Sequence, residues 1–360
     1  MRFKMKQKKI IRAAAIFIGI VLFTFTLALF TRQEVSGWRK SIMEKRRQKD
    51  VSFKTSPTSP MAAVKRLLVK AEQRTFVIEK NRDVSLSVKE LPGVIFSLIK
   101  QKGKWVWQNP AAGAGGITCN AAGKPLAPGS SLPGRTVFRS SCCVLVAYPT
   151  KDGLVLMVYD LMRKELKNFS HLIYFPPDST FAVPAVLKKF PTITPVTMLT
   201  SRNLKKTFYR YASIHFKLGG KNLQLAAFKF NLEGGEGSNI LFLPFNDTTN
   251  GTETYSAGRF LEVTEPQGSN LVLDFNRCYN PLCNYSPAYN CPLPPLENNL
   301  VAPIKAGEKT YPHASGGQGG SFRENHPPGP PAKAIDKVNK KFFGGPGGDF
   351  SKKPPGRRRQ

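Results

Sequence analysis

The sequence predicts a mainly β protein: an antiparallel β-sandwich or barrel-like body in two β modules, with an N-terminal membrane helix and a disordered C-terminal tail. Three observations carry this. From Arg74 onward, short β-rich runs alternate with turn residues. No long helical pattern separates them, which argues against βαβ units and a parallel sheet. Composition also changes abruptly at both ends of the chain.

The leader MRFKMKQKKIIR carries six basic residues and no acid, and Ala13–Phe30 then runs 18 residues without a charge. That length lies at the lower edge of a bilayer span and above the usual core of a secretory signal. Residues 1–34 therefore read as a retained signal anchor, with the membrane as partner of Ala13–Phe30. The basic leader favours a cytoplasmic N-terminus and an extracytoplasmic body, periplasmic or on the outer face of the inner membrane. Seven basic residues from Arg32 to Lys49 pull the other way.

Residues 35–73 read as a charged helical linker. VSGWRKSIMEKRRQKD is helical, Ser56-Pro57 and Ser59-Pro60 break it, and MAAVKRLLVKAEQR restarts a short helical pattern. A small β module follows over 74–162. Its strands are RTFVIEK, VSLSVKE, VIFSLIK, KWVWQ, RTVFRSS, CCVLVAY and LVLMVYD, the last two joined by a turn at Pro149–Gly153. AAGAGG at 111–116 lacks the spacing of a phosphate loop and reads as a flexible crossing.

The main β domain spans 163–311, with candidate strands TITPVTMLT, TFYRYASIHF, LQLAAFKF, NILFLPF, GRFLEV and NLVLDF. Leu218–Asn222 and Asn250-Gly251 are the best hairpin turns, because Asn and Gly tolerate positive φ. Residues 312–360 form a basic tail in which Gly and Pro supply 18 of 49 residues, too polar to bury a core.

The formal net charge is +31 over 360 residues. Residues 1–50 hold 13 Lys/Arg against 3 acids and the tail 10 against 3, leaving an excess of 14 between them. Such a chain is drawn to anionic surfaces: membrane headgroups, charged polysaccharide or nucleic acid.

Two stretches concentrate polar chemistry. FNDTTNGTETYSAGRF places Asp247, Glu253, Tyr255 and Arg259 around a tight turn. With a strand starting near Glu253, Glu253, Tyr255, Ala257 and Arg259 share one face, where a guanidinium fork suits a carboxylate or phosphate. The competing reading pairs Arg259 internally with Asp247, Glu253 or Asp274. The second stretch, Asn276–Asn298, packs five Asn, three Tyr, five Pro and three Cys into 23 residues. Cys278, Cys283 and Cys291 lack the C-x-x-C spacing of a zinc knuckle, and a fourth ligand such as His313 would have to come from elsewhere. No metal and no cofactor are expected. A Cys283–Cys291 disulfide closes a nine-residue loop and restricts the unfolded chain by about 2.5 kcal/mol. Cys142-Cys143 lie in an apolar strand with at least one buried thiol. No GxSxG elbow is present, and His171, His215, His313 and His326 lie far apart in sequence.

The segments DTTNGTETYSAGRFL, LDFNRCYNPLCNYSPAYNCPLPPLENNL and IKAGEKTY resemble the uncharacterised bacterial family called domain of unknown function 1684. The resemblance is strongest over 239–311 and weaker over 36–238, where KNFSHLIYFPPDSTFAVPA and SGWRKSIMEKR echo its pattern. It covers Asp247, Thr249, Gly251, Glu253, Thr254, Tyr255, Gly258 and Arg259. It continues through Asp274, Phe275, Asn276, Tyr279, Asn280, Pro281, Cys283 and Cys291 to Glu297 and Asn298. Cys278 departs from the family's usual Ala, and Asn250 stands where Ser is frequent. ITCNAAGKPLAPGSSLPGRTVF faintly resembles a forkhead-associated β-sandwich, without the Arg and Ser positions of a phosphothreonine reader.

The resemblance implies no biochemical role. The leading expectation is a non-enzymatic envelope protein that binds an anionic polymer or small polar ligand, or serves as an interaction scaffold. Its pocket is bordered by Asp247, Glu253, Tyr255 and Arg259 with Asp274, Asn276, Tyr279, Asn280, Glu297 and Asn298. The alternatives are a hydrolase using Asp247, Glu253 or Asp274 as general base, and a nucleic-acid binder through the basic ends, which requires a cytoplasmic body.

Overall fold

The computed structural model describes residues 35–69, 73–77, 94–108, 117–119, 125–132, 134–139, 143–150, 153–234 and 237–312. The expected anchor Ala13–Phe30 and the tail beyond residue 312 lie outside these. Among the described residues, no helix is long and apolar enough to cross a membrane.

Helix α1 covers residues 35–55. Trp38, Ile42, Arg46, Lys49 and Phe53 recur at helical spacing, and Ile42, Arg46 and Phe53 are buried. The expected helix is thus amphipathic and docked, and its polar side faces solvent. Ser59 then caps a 3-10 turn at Pro60–Ala62 through its hydroxyl.

The restarted helical pattern does not form among the described residues of 61–74. Ala63–Val69 is instead strand β1, antiparallel to β8 (Gly153–Asp160). Leucine and valine satisfy either period in so short a run, and pairing with β8 decides the outcome. The first five-stranded sheet runs β1-β8-β7-β6-β5, with β5 Ile117–Cys119, β6 Thr136–Arg139 and β7 Cys143–Thr150. A three-stranded sheet of β2 (Gln73–Val77), β3 (Val94–Gln101) and β4 (Lys104–Gln108) packs against it. Leu98, Trp105, Trp107, Phe138, Leu145 and Leu156 fill the space between. The other face of the larger sheet buries Val144, Val146, Met157 and Tyr159. β7 and β8 are covered on both faces, which explains their unbroken apolar runs.

The second module is a six-stranded antiparallel sheet curled into a nearly closed barrel, in the order β13-β12-β11-β10-β9-β14. Its strands are β9 Ala182–Leu199, β10 Lys205–Leu218, β11 Lys221–Lys229, β12 Ile240–Phe245, β13 Arg259–Thr264 and β14 Asn270–Asp274. Alternate residues point inward: Val183, Ala185 and Leu187 on β9, Ile214 and Phe216 on β10, Leu241, Leu243 and Phe245 on β12. A four-residue helix α2 (Lys164–Lys167) links the modules.

Two turn expectations fare differently. Gly219 and Gly220 have φ of 54° and 77° and close a two-residue hairpin between Leu218 and Lys221. Asn250-Gly251 is no such tip. β12 ends at Phe245 and β13 starts at Arg259, so the strand expected near Glu253 begins six residues later. β9 starts earlier than its apolar pattern suggested, despite Pro184, Pro191 and Pro195. Pro191 falls in the register irregularity between Lys189 and Thr194, and β14 pairs only with 182–186, so the prolines further along need no donor on that side.

Candidate functional site

The polar residues of the main domain meet along a seam between α1, the barrel and the irregular chain from Asn276 to Tyr311. α1 is fastened there by four groups. Trp38 Nε1 donates to Asp274 Oδ2 at 2.9 Å, Arg46 Nη1 to the Phe175 carbonyl at 2.8 Å, Lys49 pairs with Glu308, and Asp50 Oδ1 accepts from the Leu172 amide at 2.8 Å.

Glu308 is the centre of this seam and was not singled out by sequence. It is 1% exposed, yet its carboxylate takes Lys49, the Asn280 amide at 2.7 Å and the Tyr285 hydroxyl at 2.5 Å. Burial and the Glu308 charge push the Tyr285 phenol far above its ordinary value, so it stays a donor. The AGEK run in the resemblance was the signal that could have marked this residue.

Asp247 and Arg259 pair with each other, as the internal reading required. Arg259 Nη2 donates to Asp247 Oδ2 at 2.7 Å, and both side chains are 0% exposed. The same guanidinium donates to the carbonyls of Ile304 (2.7 Å), Ala306 (2.6 Å) and Glu308 (3.2 Å). Asp247 Oδ1 accepts from the Thr249 amide and hydroxyl. The guanidinium fork expected to meet a ligand is therefore occupied by the protein's own backbone. The shared face with Glu253 and Tyr255 does not form. Glu253 lies near the surface with Lys305 at 3.0 Å, and that hydrogen bond holds its carboxyl below the ordinary value. Tyr255 turns inward onto Cys283 Sγ.

The remaining candidates are framework as well. Asp274 caps the 3-10 turn Phe275–Arg277 and receives Trp38 and Arg277. Asn276 exchanges two hydrogen bonds with the Asp178 backbone. Tyr279 donates to Glu262 at 2.6 Å, and Asn280 Nδ2 donates to the Lys309 carbonyl. Glu297 accepts a forked pair from Arg210, whose guanidinium stacks 3.8 Å from the Phe190 ring centre. Asn298 accepts from the Ala226 amide at 2.7 Å and donates to the carbonyls of Ala226 and Pro244. β11 and β12 share one register pair there, Phe228 with Phe242, and the Asn298 amide completes the ladder.

The Asn276–Asn298 stretch is thus a keystone. Cys283, Cys291 and Leu293 pack with Phe208, Phe228 and Phe242 on the outer barrel face. Tyr285 enters the cluster of Phe53, Met61, Phe169 and Leu172 under α1. Ala288 and Tyr289 pack on the first module beside Ala63 and Tyr159, and Ser286 Oγ donates to the Ala63 carbonyl at 2.7 Å. Two glycines permit the fit. A side chain at Gly258 (φ 90°) would meet Pro294 Cγ at 2.5 Å, and one at Gly307 (φ 75°) would meet Cys278 Sγ and its carbonyl.

The expected disulfide is absent: Cys283 and Cys291 are free thiols in contact, with the Cys283 amide 3.3 Å from Cys291 Sγ. Among the described residues, no three His, Cys, Asp or Glu side chains gather to hold a metal ion. Two further polar groups went unread in the sequence. Ser213 Oγ lies 2.9 Å from His215 Nε2, and burial followed by the Lys188 charge lowers the imidazole's affinity for a proton. Strand alternation, S-x-H, was the available signal. At one barrel mouth Glu265 accepts from Tyr211 (2.5 Å), Lys229 (2.6 Å) and Lys189 (2.7 Å).

A comparison with curated proteins gave no match. Among solved structures, the chain is similar to the solution NMR structure of an uncharacterized protein of Haloarcula marismortui. The two are 36% identical over 41% of this chain and 80% of that one, with a TM-score of 0.35. The model of a family described as protein of unknown function (DUF1684) matches residues 167–309, which hold the barrel, its keystone and Glu308. Over residues 167–309 the chain is thus similar to the protein family of unknown function DUF1684.

Proposed function

We propose that this is a membrane-anchored envelope protein that works by binding rather than by catalysis, its partner an anionic polymer or small polar ligand. One observation carries the reading: the helix that follows the expected anchor is locked into the body through Trp38, Arg46, Lys49 and Asp50. A body clamped to the helix that follows its expected anchor is tethered close to the bilayer, as a scaffold or receptor needs. The candidate carboxylates support it too. Asp247 and Asp274 are spent on Arg259, Trp38 and Arg277, and Glu253 is neutralised by Lys305. Each carboxylate is thus engaged by the protein's own donors rather than left free to take a substrate proton.

The test uses the full chain in detergent micelles against linear polyphosphate, a sulfated polysaccharide and a neutral glucan. Saturable binding to the polyanions, weakening with salt, is expected. No binding at low salt sinks the reading. So does turnover of an ester, phosphate or glycoside substrate that Glu253→Gln abolishes.

A further inference from the structure

Arg66 and Arg202 come from different modules and flank the same piece of the keystone. Arg66 pairs across β1 and β8 with Met157. Cross-strand partners share a sheet face. Met157 is buried with Ala288 and Tyr289, so Arg66 lies on the face turned toward residues 286–289. From the other side, Arg202 Nη1 donates to the Pro287 carbonyl at 2.9 Å. Arg202 is not on a loose tip. The Ser201 amide donates to the Cys291 carbonyl, the Cys291 amide to Ser201 Oγ, and the Leu293 amide to the Leu199 carbonyl.

We propose that this junction is a phosphate-binding site, with Arg66 and Arg202 as its two guanidinium arms. Two guanidiniums that flank the same backbone segment without a carboxylate between them leave a concentration of positive charge that an anion neutralises. Among the described residues, neither arginine takes part in an ion pair, and no side-chain hydrogen bond satisfies half-buried Arg66. Burial and then the Arg202 charge lower the Arg66 guanidinium's affinity for its proton, in keeping with that concentration of charge. Lys205 and Lys206 open β10 directly after the tip, so a phosphate polymer leaving the site meets further positive charge. The site deepens the binding function proposed above and rests on it.

The experiment titrates the full chain in detergent with inorganic pyrophosphate and with linear polyphosphate, by calorimetry and by thermal shift. Both probes are expected to bind the wild type and raise its melting temperature. Arg66→Gln and Arg202→Gln each weaken binding roughly tenfold or more, the loss of one charge-assisted contact. Without probe Arg66→Gln melts at or above the wild type, because removing its charge relieves the repulsion, and Arg202→Gln melts close to it, because that relief offsets the lost bond to Pro287. A far lower melting temperature would make the arginines structural and overturn the site. Polyphosphate binding that survives both substitutions overturns it as well, while the polyanion-binding function stands. A wild type that binds neither probe overturns both. Tight polyphosphate with weak pyrophosphate binding identifies a polymer rather than a free phosphate.

Discussion

Arg259 and Asp247 meet 2.7 Å apart with neither side chain reaching solvent. The pair is a rivet. Through one guanidinium it joins the start of β13, the turn after β12 and the carbonyls of Ile304, Ala306 and Glu308. Asp247→Ala strands a buried cation and is expected to cost about 3–5 kcal/mol. Urea unfolding of a 35–312 fragment or the full chain measures it. Arg259→Lys should be nearly as harmful, since an ammonium cannot fork to carboxylate and carbonyls together. A loss below about 1 kcal/mol in both would mean that the pair is not a rivet.

Asn298 substitutes for strand pairing where β11 and β12 diverge. Asn298→Ala leaves the Ala226 amide and two carbonyls buried without partners, at about 1–3 kcal/mol for each group that water cannot reach. Faster amide hydrogen exchange at Ala226 should accompany the loss. Asn298→Asp keeps the acceptor toward Ala226 but sets a carboxylate against two carbonyls, and is expected to be worse. Unchanged exchange at Ala226 in Asn298→Ala would rule out the ladder role.

Much of the architecture was legible because it follows from alternation. Leu241, Leu243 and Phe245 point inward, and their β12 neighbour Phe242 packs under the keystone, so the run could only be a strand buried on both faces. β1 was misread because its short apolar run fits a helix until β8 is placed beside it. The site was legible as a set of residues but not as a set of roles. Asp247, Arg259, Asn276 and Asn298 stand out as polar side chains in apolar surroundings, and their sequence neighbours do not say that the partners are backbone groups far along the chain. Glu308 needs Lys49, 259 residues earlier, before its burial makes sense.

Glu265 should make stability depend on acid. Burial alone would raise its carboxyl, but hydrogen bonds from Lys189, Lys229 and Tyr211 outweigh burial and hold it at about 2, against an ordinary 4.5. A carboxylate depressed in the folded state contributes its full stability above its ordinary value and loses it as pH falls toward about 2. Melting temperature should therefore drop between pH 4.5 and about 2 in the wild type. Glu265→Gln should start lower at neutral pH and fall less steeply over that window. Parallel curves for the two proteins would show that the barrel-mouth cluster contributes nothing.

The Cys283–Cys291 contact makes the last prediction. Cys291 donates to Cys283, and with Tyr255 and Ser201 this outweighs burial and lowers the Cys283 thiol, while the same bond raises Cys291. Cys283 is then the sulfur that forms thiolate, and Cys291 is already in place to complete a disulfide. Diamide, taking up two electrons and two protons, should link these two and leave Cys278 free. Closing the nine-residue loop is expected to stabilise the fold by at most about 2.5 kcal/mol. Alkylation before and after reduction, read by mass spectrometry, identifies the pair, and a thermal scan reads the gain. A link through Cys278, or a fold destabilised by oxidation, would contradict the geometry. Applied to protein drawn from its native cells, the same mapping reports on the compartment of the body. A pair already oxidised there supports an extracytoplasmic body, because disulfides persist in oxidising compartments. Two free thiols would turn the body toward the cytoplasm and make nucleic acid, rather than an envelope polymer, the polyanion to test first against Arg66 and Arg202.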